Sequence, residues 1–384
     1  MLNKRKIPSI LLASGIFHPD VGGPAIHVRH IAEHFSSLGW KVTVIAFGNS
    51  KSSNESYSVI RISRQMPKIF SWLLYALRVG IEAFRSDAIY GFDLTTSGLP
   101  SAFFSRLFGK PFILRIGGDP IWERIIEKEK RFIPMRAYYE QKLFIFDKPI
   151  LYRLIRYVVQ SAVRVITYCD FLVYIYENFY DVNPSRVALI RNPFTSRKSS
   201  GQEENAFTFI FAGRFVSYKN IPRVIRVFSR IVDTHPEARL LLIGDGPEES
   251  EIRTIAEPLG DRVSILPKMS QSELFKRIEN ASVALAPAIT EFNPNFILES
   301  LALGKPAIIS HDNGLSVSLP DKWQFDPLDD ESLFQAMRNM LNQDVYASSC
   351  ETIAQMKMES TWNSVVSEHE KLIRAILKLP QANI

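Results

Sequence analysis

Glu291 and Glu299 are two carboxylates separated by seven residues within Pro287 to Pro306, PAITEFNPNFILESLALGKP. Asn293 suits an N-cap and Pro294 the first helical position, where its missing amide hydrogen costs nothing, so a helix is expected to start between the glutamates. Phe296, Ile297, Leu301 and Ala302 continue at helical spacing, and Gly304 with Pro306 closes the element before a strand at Ala307 to Ser310. The free amides at such a helix start, near Asn295, sit at the positive end of the helix dipole and favour a phosphate. The flanking carboxylates could then hold hydroxyls of a sugar and a ribose. Glutamate is common, and the same pair also describes one solvated carboxylate and one that caps a helix. The rest of the chain has to decide.

Three other loops carry suitable residues. AGRFVSYKN follows a strand at Phe207 to Ala212 and supplies Gly213, Arg214 and Lys219. An arginine offers planar donors and a lysine a point charge, a combination that neutralises a diphosphate. LLIGDGPEE follows the next strand with Gly244 and Gly246, a loop able to admit a nucleobase or ribose. RIGGDPIWER places Gly117, Gly118 and Asp119 beyond the strand Pro111 to Ile116, at the carboxyl end, where open parallel sheets bind ligands. Near the start, a short apolar run Ile10 to Ser14 leads through Gly22 and Gly23 into a helical pattern from Pro24 to Leu38, and an anion could sit at that tip. His27, His30 and His34 share a face of this helix. No carboxylate or cysteine obviously completes a ligand set, so a histidine stripe is expected and no metal.

The elements that position these loops alternate. Strands are expected at Lys41 to Phe47, Tyr57 to Ile62, Ala88 to Tyr90, Val165 to Thr167 and Val187 to Ile190. A second βα series begins at Phe207 and includes Leu240 to Ile243, Val263 to Leu266 and Val283 to Ala286. Between the series lies the polar stretch Thr195 to Asn205, TSRKSSGQEEN, which reads as a linker. The expected division is a first domain over 1–195, a second over 206–360, and a closing amphipathic helix over 361–384 that packs back toward the first. Two parallel α/β sheets follow.

A chain of 384 residues with 46% hydrophobic and 22% charged residues can bury two cores, which argues against disorder. Cys169 and Cys350 have no metal-type spacing and point to free thiols in a reducing compartment, so the expected location is cytoplasmic. Pro8 and Ser9 interrupt the early apolar stretch, so no signal peptide is expected, and no run approaches the ~20 residues a spanning helix needs. The formal charge of +6 is uneven: Lys51 to Arg164 holds 19 Lys and Arg against 10 Asp and Glu, +9, which leaves −3 for the rest. That basic part could face an anionic membrane surface as a peripheral partner or simply be solvated. Its helical pattern Met66 to Phe84 aligns Phe70, Leu73, Leu77, Ile81 and Phe84; a core helix is the preferred reading and an interfacial membrane helix the alternative. The basic residues form no nucleic-acid module.

With these motifs in order, the chain resembles the retaining glycosyltransferases of family 4, which have the GT-B fold: two Rossmann-like, doubly wound parallel-sheet domains facing a central cleft. The matching pieces are GG at 22 to 23, GGD at 117 to 119, NP at 192 to 193, AGR with K over 212 to 219, IGDGP at 243 to 247, and the paired glutamates running on to LGKP over 291 to 306. The resemblance implies a nucleotide-sugar donor, UDP- or GDP-linked, held mainly by the second domain, and a glycan or lipid-linked acceptor of cell-surface polysaccharide synthesis. Arg214 and Lys219 would bind the diphosphate, Glu299 the ribose and Glu291 the sugar hydroxyls, with Gly213, Gly244, Gly246, Asn293, Asn295, Phe296, Gly22 and Gly23 around the donor. No metal or other cofactor would be required. The sequence departs from the family twice. Phe292, Asn293 and Pro294 stand where glycine, phenylalanine and glycine are common, and Gly117 stands where a histidine is frequent, which leaves Asp119 as the candidate polar contact there. A non-catalytic scaffold of the same fold, or another nucleotide-sugar enzyme such as an epimerase, are the alternative functions.

Overall fold

Every strand of the first sheet is a short run of apolar residues flanked by polar turns, and the longest-buried of them, β1 (Ser9–Ala13), is closed to solvent on both faces. It is an interior strand, paired on both sides, of a sheet it forms with β2 (Lys41–Phe47), β3 (Ser58–Ile62), β4 (Ala88–Gly91), β5 (Phe112–Arg115), β6 (Arg164–Thr167) and β7 (Val187–Leu189), all parallel in the order β3-β2-β1-β4-β5-β6-β7. After β8 (Phe194–Thr195), a second parallel sheet contains β9 (Thr208–Ala212), β10 (Arg239–Ile243), β11 (Val263–Leu266), β12 (Val283–Ala286), β13 (Ala307–Ser310) and β14 (Gln324–Phe325) in the order β11-β10-β9-β12-β13-β14. Finally β15 (Glu359–Ser360) pairs antiparallel with β8. Both large sheets reverse strand order beside their first strand, the doubly wound arrangement expected from alternating elements. Only β14 and the β8–β15 ribbon were not foreseen; strands of two residues are too short to show a period. The computed structural model describes residues 7–20, 23–49, 55–195, 206–356 and 359–380. Gly22 and the linker from 196 to 205 lie outside them.

The chain divides into two compact units. One comprises Met1–Pro120, Phe144–Arg191 and Trp362–Ile384, the other Ile121–Leu143 and Asn192–Thr361. The boundary therefore differs from the linear division at 195 in two places: residues 192–195 already belong to the second unit, and Ile121–Leu143 groups with it too, because this segment bonds to that unit's loops. The closing helix, Trp362–Ile376, belongs to the first unit. It packs on α1 (Gly23–Ser37), where the Trp362 ring stacks on His30 at 4.0 Å and Glu370 lies 2.8 Å from His34 Nε2.

Helix α2 (Lys68–Arg85) overturns the core-helix expectation. Its buried residues are Ser71, Tyr75, Val79, Gly80 and Ala83, whereas Phe70, Leu73, Leu77 and Phe84 of the apolar stripe are exposed. The reason lies in α3 (Gly98–Phe108): a β-carbon at Gly80 would come within 2.6 Å of the Phe104 ring, so the two helices approach through the small face. Among the described residues, no helix is long and apolar enough to cross a membrane.

Candidate active site

Three loops leave the carboxyl ends of β9, β10 and β12 in the second unit, and backbone hydrogen bonds fasten them together. Gly213 N donates to Ile243 O (2.9 Å), Phe215 N to Asp245 O (2.8 Å) and Glu248 N to Phe215 O (3.1 Å). This closeness is what the glycines are for. A β-carbon at Gly244 would lie 1.9 Å from Gly213 O, and one at Gly246 2.3 Å from Phe215 O. Contact between neighbouring loops therefore requires glycine at both positions. The third loop joins through Ile289 N, which donates to Tyr218 O (2.8 Å).

The sequence brings its cation to this junction by a tight turn. Ser217–Lys219 is a short 3-10 helix that ends on Asn220 in the left-handed region, φ 57°, a conformation asparagine tolerates. Lys219 Nζ then lies 2.6 Å from Glu291 Oε1, with both side chains largely buried. Burial pulls the lysine pKa down, but the Glu291 carboxylate and Tyr218 beside it more than offset this and hold it above its usual value. Lys219 is cationic at neutral pH. Glu291 is itself fixed by its backbone: its N donates to Asp312 O (2.9 Å) and its O accepts from Gly314 N (2.8 Å). Burial raises the pKa of the Tyr218 hydroxyl, whose electrostatic surroundings contain Lys219, Glu123, Glu291 and Arg214 together. Arg214 is exposed, and its guanidinium makes no hydrogen bond or ion pair among the described residues.

Helix formation after Glu291 differs by one residue from expectation. The N-cap is Pro294, and Asn295 opens the helix Asn295–Ala302. Asn293 is instead spent on the neighbouring loop: its Oδ1 accepts from Ser316 N at 3.0 Å, and its buried Nδ2 has no partner among the described residues. Asn295 accepts from Asn192 Nδ2 at 2.9 Å, and Phe296 is half-buried with its ring 6.4 Å from Phe211. Glu299, further along the helix, accepts from Gln271 Nε2 at 2.9 Å.

Sequence reasoning missed the segment Ile121–Leu143, which straps across these loops. It contains most of α4 (Pro120–Glu129) and all of α5 (Met135–Glu140). Lys130 Nζ donates to Ser217 Oγ and, at 2.8 Å, to Glu248 Oε1. Met135 N donates to Thr290 Oγ1 (2.9 Å), and Arg136 Nε lies 3.8 Å from Asp312 Oδ1. Buried Trp122 donates from Nε1 to Ile133 O (2.8 Å) and sets its ring 5.8 Å from Tyr218 and 6.3 Å from Phe292. Burial, followed by repulsion from Glu248, raises the pKa of Glu127 on this strap, and burial likewise raises that of Asp312. The signal in the sequence was its mixture of Trp, Lys and Arg, but nothing in that mixture says which sheet it covers.

In the first unit, Asp119 is wholly buried and its Oδ2 accepts from Tyr180 at 3.3 Å. Tyr168 and Tyr176 donate to the carbonyls of Gly117 (2.7 Å) and Gly118 (3.2 Å), so tyrosines anchor the whole GGD loop. A β-carbon at Gly23 would meet nothing within 4 Å, leaving the tip of α1 open. The three histidines of α1 are engaged: Arg115 Nη2 lies 3.2 Å from His27 Nε2, His30 stacks on Trp362 and His34 pairs with Glu370.

The chain matches the family described as Glycosyltransferase Family 4 over residues 21–196 and that described as Glycosyl transferases group 1 over residues 193–357. It is similar to the phosphatidylinositol N-acetylglucosaminyltransferase gpi3 subunit of Schizosaccharomyces pombe, 24% identical over 51% of this chain and 45% of that protein, so it spans under half the length of this curated relative. Among solved structures, a sucrose-phosphate synthase from Thermosynechococcus elongatus superposes with a TM-score of 0.76 at 17% identity, covering 97% of this chain and 99% of the other. HepE of Anabaena, in complex with UDP and glucose, superposes at 0.73 with 14% identity over 95% and 99%. These likenesses establish a shared GT-B fold across both units.

Proposed function

We propose, from the premise that this chain belongs to glycosyltransferase family 4, that it is a glycosyltransferase moving a sugar from a nucleoside diphosphate donor to a glycan or lipid-linked acceptor of cell-surface polysaccharide, with retention at the anomeric carbon. The observation that carries the reading is the Lys219–Glu291 contact of 2.6 Å beside the uncommitted Arg214, on loops zipped at the carboxyl edge of one sheet. Two cations there neutralise a diphosphate, and the start of the helix Asn295–Ala302 adds donors where the leaving phosphate gathers charge. As the bond between the anomeric carbon and the phosphate oxygen breaks, Arg214 and Lys219 stabilise the departing diphosphate. Glu291, freed in part from Lys219 by that charge, orients the sugar hydroxyls, and Glu299 holds the ribose. Neither role calls for a metal ion. The reducing compartment that the two free thiols suggest puts this activity in the cytoplasm.

Arg214→Ala tests the reading most cleanly, because the side chain is exposed and makes no hydrogen bond among the described residues that the fold would miss. Release of nucleoside diphosphate across a donor panel should fall by about a hundredfold or more, the range for removing one transition-state donor. Lys219→Ala should abolish it, with the melting temperature followed alongside, since Glu291 would lose its partner. Unaltered turnover in both variants refutes the assignment. A melting-temperature screen with UDP and GDP identifies the base, because a ligand of the native state stabilises it by about 2.7 kcal/mol at a hundred times its Kd.

A further inference from the structure

Helix α2 is packed firmly and turned outward. Its small face, Gly80 above all, is pressed onto Phe104 of α3, so the outward orientation of the stripe is set by packing. The stripe leaves Phe70 63%, Leu73 53%, Leu77 57% and Phe84 67% exposed. It continues onto α3, where the Phe84 ring meets Phe108 at 5.4 Å and Phe103 and Leu107 are 55% and 60% exposed. Isolated apolar side chains on a surface need no explanation, but a row of them across two adjoining helices does.

We propose that α2 and α3 form a docking face for an anionic lipid leaflet, lying in the plane of the interface. The charge around the stripe selects this occupant. Lys68, Arg78, Arg85 and Arg106 lie on the two helices, and their sole acid, Glu82, is paired with Arg85 at 3.0 Å. Apolar side chains enter the boundary between headgroups and acyl chains, while the long cationic ones reach the phosphates. Anionic headgroups add to the attraction of each cation near the surface. A second copy of the same face would instead bring cations against cations. The inference goes beyond the transfer reaction and does not depend on it, since no donor takes part.

The test is flotation of the full chain with vesicles of phosphatidylcholine alone and of phosphatidylcholine with phosphatidylglycerol. The protein should float with the anionic vesicles and little with the neutral ones, and added salt should weaken the association. Trp72, on α2 and partly exposed, should shift its emission to the blue on binding, and a W72F variant should lose that shift. L73E/L77E should lower the partition coefficient by about tenfold or more with an unchanged melting temperature, because both side chains already face water. K68E/R78E should remove the preference for anionic lipid. Three outcomes overturn the proposal: no flotation with anionic vesicles, flotation unchanged in L73E/L77E, or a dimer that the same pair of substitutions disperses in a chain that binds no vesicle. Loss of flotation with turnover intact on a water-soluble acceptor would separate docking from catalysis.

Discussion

Helix α2 in the first unit and the helix Ile221–Thr234 in the second have the same kind of sequence, apolar on one stripe and basic on the other, yet the fold uses them oppositely. Ile221, Val224, Ile225, Phe228 and Ile231 are buried under the second sheet, as the pattern predicts. Along α2 the apolar stripe faces out and Ser71, Tyr75, Val79 and Ala83 face in. Amphipathicity thus marks a helix as two-faced without saying which face its own domain buries.

The two stripes should differ sharply in what truncation costs. Phe228→Ala should destabilise the second unit by ~3–5 kcal/mol, as for a filled core position, while Leu77→Ala should stay within ~0.5 kcal/mol; chemical denaturation measures both. A second contrast concerns pH. His369, on the helix Trp362–Ile376, is held neutral: burial first, then the Arg115 and His34 charges, push its pKa down to about 3, while Nδ1 donates to Val365 O at 2.8 Å. The unfolded state therefore binds a proton that the folded state refuses. Its contribution is present above the ordinary histidine pKa of ~6.5 and is lost as pH falls from there toward 3, on the order of a few kcal/mol. Lys219 has the opposite sign. Its raised pKa gives stability fully present below the ordinary lysine value and lost as pH rises through the folded one. Acid should loosen the first unit ahead of the second, and His369→Asn should flatten that acid limb of melting temperature against pH. Between the large loss at Phe228 and the near-silence at Leu77, Gly80→Ala should cost ~1–3 kcal/mol by forcing its methyl group into the Phe104 ring, read from the urea midpoint.

Most of the fold was legible because parallel strands buried on both faces are short apolar runs, and β2, β10, β11, β12 and β13 fall on or within a residue of the stretches expected. The loops that carry Arg214, Lys219 and Glu291 were legible for the same reason: each directly follows such a run. What was not legible required knowledge of neighbours. Asn293 has the chemistry of an N-cap, but a nearby amide, Ser316 N, claims its oxygen and the helix starts one residue later. That Gly244 and Gly246 also let the Gly213–Phe215 loop approach shows only once that loop is in place. Asp119 follows a strand like the other candidates, yet a tyrosine hydroxyl only visible in three dimensions turns it inward.

The strap Ile121–Leu143 has a practical corollary for dissecting this molecule. Because the chain enters the second unit at Ile121, leaves after Leu143 and re-enters at Asn192, no single cut yields that unit whole. A fragment starting in the polar stretch after Thr195 would carry Ser217 and Glu248 but not the Lys130 that bonds to both, and would expose the ring surfaces of Tyr218 and Phe292 that Trp122 covers. Half-molecules intended for donor-binding studies therefore need the strap supplied, as a grafted segment or a second peptide.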